Sequence, residues 1–97
     1  MSIRTVERQL RRTSEQIVNL RAELVLLDEQ FAHFSDEAET ARIYALVSET
    51  PISERTHQRA ARHADVISRQ RNELVDRLAQ LEGQQDSLLD RITGGLN

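Results

Sequence analysis

Ser48-Glu49-Thr50-Pro51-Ile52-Ser53-Glu54 lies at the midpoint of the chain and contains its only proline. Thr50 is a favoured N-cap, Pro51 suits the first helical position, and Glu54 adds a carboxylate to the first turn. The stretch therefore starts a helix and closes whatever precedes it. Punctuation is scarce elsewhere. Gly83 is the single interior glycine, and Gly94-Gly95 form a stop signal at the far end. The expectation is a single helical hairpin spanning 1–97, with helix 1 over about 3–48, a turn over about 48–51 and helix 2 over about 51–93.

Apolar residues on both sides of that turn recur at heptad spacing. In the first half Ile3, Leu10, Ile17, Leu24, Phe31, Ala38 and Ala45 fall at a, and Val6, Thr13, Leu20, Leu27, Phe34, Ala41 and Ser48 at d. Ser35-Asp36, with Asp36 and Glu39 spaced as a capping box, offers an alternative start for a separate short helix. The register passes through it without a skip, which favours one helix of roughly 44 residues, about 66 Å. In the second half His57, Ala64, Arg71, Leu78, Gln85 and Ile92 take a, while Ala60, Ile67, Leu74, Leu81 and Leu88 take d.

Folding the chain at the turn brings a residues of one helix beside d residues of the other, with the residue numbers of each layer adding to 98. Leu10 then meets Leu88, Leu20 meets Leu78, bulky Phe34 meets small Ala64, and polar Thr13 meets polar Gln85. On the flanks Glu23 faces Arg77, Glu37 faces His63, Arg42 faces Glu54, Gln16 meets Gln84 and Gln30 meets Gln70, with no like-charge pair. Arg71, at a seam position opposite Leu27, is expected to reach out to Asp28. The fold class is all-α, an antiparallel two-helix coiled-coil hairpin.

Composition bounds the rest. The 97 residues are 38% hydrophobic, 30% charged and 3% aromatic, with no cysteine. That excludes a disulfide scaffold and a thiolate zinc site. No apolar run is long enough to span a membrane, and Met1-Ser2-Ile3-Arg4 lacks the apolar core of a signal peptide, which sets a cytoplasmic expectation. The net charge is −3, from 13 basic and 16 acidic residues, and every basic residue is arginine. No catalytic or phosphate-loop motif is present and a lone hairpin makes no enclosed pocket, so the expectation is no enzyme and no cofactor.

A two-helix chain normally needs a staple, and oligomerisation is the device left to it. Off the seam, Val18, Ala22, Val25 and Leu26 mark helix 1, and Ala61, Val75, Ala79 and Leu89 mark helix 2. A stripe of this kind suits a homodimer forming a four-helix bundle. At the turn, Ile43, Tyr44, Leu46, Val47 and Ile52 exceed what the heptad face can bury. They either cap their own core, complete the homodimer, or dock into a partner groove.

Two chemical readings stand beside these. Glu54-x-x-His57 has the spacing of carboxylate-bridged metal bundles, but Ala41 stands opposite His57 and no Glu falls at a or d, so no metal is expected. Arg59, Arg62, Arg69 and Arg71 are candidate anion-binding residues. Interleaved acids and the lack of a stacking platform make nucleic acid a poor partner for them. The leading expectation is a non-catalytic protein–protein interaction module, a small regulatory or adaptor protein. The alternative is arginine-mediated binding of nucleic acid or an anionic nucleotide.

Overall fold

The structure is a computed structural model that describes residues 2–95. It is all-helical: α1 runs Ile3–Ser48 and α2 runs Pro51–Gly95, and the two pack as a hairpin. α1 contains neither glycine nor proline, and it continues through Ser35-Asp36 without a break. α2 includes Gly94 and Gly95, so the glycine pair does not stop it at 93. No glycine among the described residues takes a positive φ.

The left-handed residue is instead Glu49, with φ 53°. Its N–H donates to the Ala45 carbonyl at 2.9 Å, closing α1 with a single αL cap. Thr50 then opens α2. Ser53 N–H donates to Thr50 Oγ1 at 3.1 Å, and Thr50 N–H donates back to Ser53 Oγ at 3.2 Å. This is a reciprocal capping box with serine in the usual Glu/Gln position. Ser2 caps α1 in a similar way, accepting the Thr5 N–H on its hydroxyl at 3.2 Å.

The heptad seam is physically real. Every a and d position from Val6 to Ser48, and from Ser53 to Ile92, is buried or half-buried. The other shielded positions, Thr5, Ser14, Ser35, Ser68 and Glu82, lie beside the seam. Ile3, an expected a residue at the start of α1, departs from the expectation and is 46% exposed.

The chain divides into two compact units, Met1–Leu24 with Leu74–Asn97 and Val25–Glu73. In the first, the terminal unit, Ile17 and Leu81 are the most deeply buried side chains, at 2% and 1% exposure. Their numbers add to 98. Val6, Leu74, Leu78 and Leu88 extend this core. Polar Thr13 is also buried, but Gln85 donates its amide to the neighbouring Ser14 hydroxyl at 3.0 Å rather than to Thr13. In the second, the turn unit, only Ala45 and Ser53 are fully buried, again a pair adding to 98. Phe31, Phe34 and Ile67 are half-buried there among small alanines.

The flank pairs differ from those expected across the seam. Glu37 bridges His33 at 3.1 Å on its own helix, and His63 sets its ring against Phe34, centroids 5.8 Å apart. Arg42 grips Glu39 at 2.6 Å and not Glu54. Arg77 reaches Gln80 at 3.4 Å and not Glu23. Partners three or four residues away on one helix are already side by side, so they win over partners across the seam. Two bridges do cross: Arg21 to Glu82 at 3.4 Å in the terminal unit, and Arg71 Nε to Asp28 in the turn unit.

Candidate interaction surfaces

Next to the turn the seam includes Ala38, Ala41, Ala45, Ser53 and Ala60. Residues between those positions on α1 must point outward. Ile43, Tyr44, Leu46 and Val47 accordingly lie 51%, 65%, 64% and 79% exposed, and Ile52 lies 70% exposed in the first turn of α2. They do not cap their own core, which corrects that reading of the sequence. Tyr44 borders a shallow cleft of about 530 Å³, walled by His33, Glu37, Ala41 and Thr56.

The stripe residues are also uncovered. Val18, Val25, Leu26, Val75 and Leu89 are exposed, as are Ala22, Ala61 and Ala79. They do not share one flank. Val18 and Val25 stand at b, Ala61, Val75 and Leu89 at e, and Ala79 at b. Leu26 stands at c, on the opposite flank. Val66, at c in the turn unit, is a further exposed apolar residue.

The candidate anion residues are unequal. Arg69 is held by Asp65 at 2.5 Å and Arg71 by Asp28, so both guanidiniums already have carboxylate partners. Arg59 and Arg62 are exposed and form no ion pair among the described residues. The Arg42 hydrogen bonds hold the Glu39 carboxyl below its ordinary 4.5, and the same bonds push the guanidinium up. Half-buried His57 lies with Nδ1 3.8 Å from Glu54. Among the described residues no three His, Asp or Glu side chains gather as a metal site, and no helix is long and apolar enough to cross a membrane.

No protein-family model, curated protein or solved structure matches this chain.

Three local features do not follow from the heptad pattern. Ser53 was legible from the Thr50-x-x-Ser53 spacing. Glu49 carried no signal, since its role follows from standing between a helix end and an N-cap. The third is a polar groove in the terminal unit, between α1 and α2. It depends on which flank residues the hairpin brings together, and no single-helix pattern reveals it.

Proposed function

We propose that this chain is a non-catalytic protein–protein interaction module that pairs with a second copy and docks a protein partner through its turn unit. The observation that carries the reading is the group of Ile43, Tyr44, Leu46, Val47 and Ile52, each more than half exposed within ten residues of sequence. Exposed large apolar side chains concentrated in one region of a chain mark contact surfaces. Tyrosine beside branched aliphatics is the composition that anchors interfaces. Self-association is supported separately by Val18, Val25, Val75 and Leu89, which stay exposed on a chain with a narrow core. A small regulatory or adaptor protein fits this division of labour.

The test has two arms. Sedimentation equilibrium of the full chain should give at least twice the monomer mass. A partner recovered by pull-down should be lost from the Tyr44→Asp and Leu46→Asp variants, which alter exposed positions and leave the seam intact. A strict monomer whose captured partners ignore both substitutions would refute the reading.

A further inference from the structure

Four arginines, Arg21, Arg42, Arg69 and Arg71, are each engaged by a carboxylate of this chain. Arg12 and Arg91, both in the terminal unit, form no ion pair among the described residues. They flank a groove of about 740 Å³ between α1 and α2 whose lining includes no acidic side chain. The same groove is lined by the carboxamides of Gln9, Gln16, Gln80 and Gln84, and buried Leu88 forms part of the lining. Among the described residues only one of these carboxamides has a side-chain partner, a long 3.4 Å contact from Arg77 to Gln80. On a chain of net charge −3, a groove lined by two cations and no anion stands out.

Gly83 lies in the same groove. Glycine is the poorest helix former after proline, and it earns its place where backbones approach closely. A Cβ added at Gly83 would meet nothing within 4 Å. Nothing in this chain therefore requires the glycine. The space that it leaves opens into the groove.

We propose that the groove binds an extended acidic segment of another protein. From Gln80 to Arg91 the helix rises about 16 Å, the span of about five residues of extended chain. The two guanidiniums fork onto carboxylates, and the carboxamides beside them offer both donors and acceptors to a peptide backbone. A nucleic acid would ask for more cations and for stacking aromatics, and the groove has neither. This site lies in the terminal unit, so it can fail without the turn-unit reading failing, and the converse also holds.

The test uses fluorescence anisotropy with the full chain and labelled hexaglutamate, with hexalysine and a short oligothymidylate as comparison probes. Hexaglutamate should bind, and more weakly as salt rises from about 50 to about 200 mM. The double variant Arg12→Gln, Arg91→Gln should lower affinity about tenfold or more and flatten the salt dependence. Gly83→Leu should also lower affinity about tenfold while keeping or raising the thermal midpoint, an outcome that a merely structural glycine does not give. No hexaglutamate binding up to about 1 mM, stronger binding of oligothymidylate, or full affinity in Gly83→Leu would each overturn the proposal.

Discussion

The terminal unit and the turn unit are built on the same heptad seam and fill it differently. The terminal unit packs branched aliphatics against one another, and Ile17 and Leu81 are almost fully dry. The turn unit lines its seam with alanines and leaves two phenylalanines half-covered. Alanine lets helix backbones approach, but it shields little and contributes little burial energy. Next to the turn, Ile43, Tyr44, Leu46 and Val47 lie on the outside, where Val47 is 79% exposed. A shared seam can thus be divided between a part that supplies stability and a part that offers surface.

The sharpest way to break this contrast is truncation of one side chain in each unit. Leu81→Ala should cost about 3 kcal/mol, because it removes the most buried side chain and leaves a cavity. Phe31→Ala in the turn unit should cost about half of that, since a half-buried ring gives up less area. Urea unfolding of both variants measures the difference, and equal losses would erase the division.

A smaller effect sharpens the account of the turn. Thr50→Ala removes one side of the capping box and should cost about 1 kcal/mol. Glu49→Gly should raise stability by about 1 kcal/mol, because only glycine adopts the left-handed region without a Cβ penalty. Thermal midpoints should therefore move in opposite directions for adjacent substitutions. A destabilised Glu49→Gly would mean that the glutamate side chain makes a compensating contact.

The smallest effect is electrostatic. Glu39 has its carboxyl lowered in the folded chain, chiefly by hydrogen bonding to Arg42. Its contribution to stability is then present above the ordinary 4.5 and lost as pH falls through the depressed value. Both side chains are exposed, so salt should weaken the effect. Carboxyl NMR titration checks it: Glu39 should titrate below 4.5 in the native chain, and Glu39→Gln should remove the corresponding acid-side drift in stability. A Glu39 midpoint at or above 4.5 would sink this prediction.

Much of this fold is legible in the sequence because a seam imposes a strict rule on residue type. Ile17 and Leu81 can be paired from their numbers alone, and Arg71, opposite Leu27 by the same rule, reaches the adjacent Asp28. The flank pairs are not legible in the same way. Glu37 has two histidines within reach and Arg42 has two glutamates, and spacing along the sequence does not rank them. The nearer partner on the same helix wins both contests. The turn patch is legible as an excess, since Ile43, Tyr44, Leu46 and Val47 cannot all face one seam. The groove of Arg12 and Arg91 is not. Its significance rests on missing carboxylates, and that depends on the final neighbours of every arginine.

Pro51 has a consequence beyond starting α2. If Glu49 relaxed to a right-handed helical φ, the two helices would fuse into one rod able to exchange arms with a second chain. That relaxation would recover about 1–2 kcal/mol at Glu49. Read-through would place a proline ring against the Val47 carbonyl and cost about 3 kcal/mol or more. The imino acid therefore acts as a ratchet that keeps each chain folded back on itself.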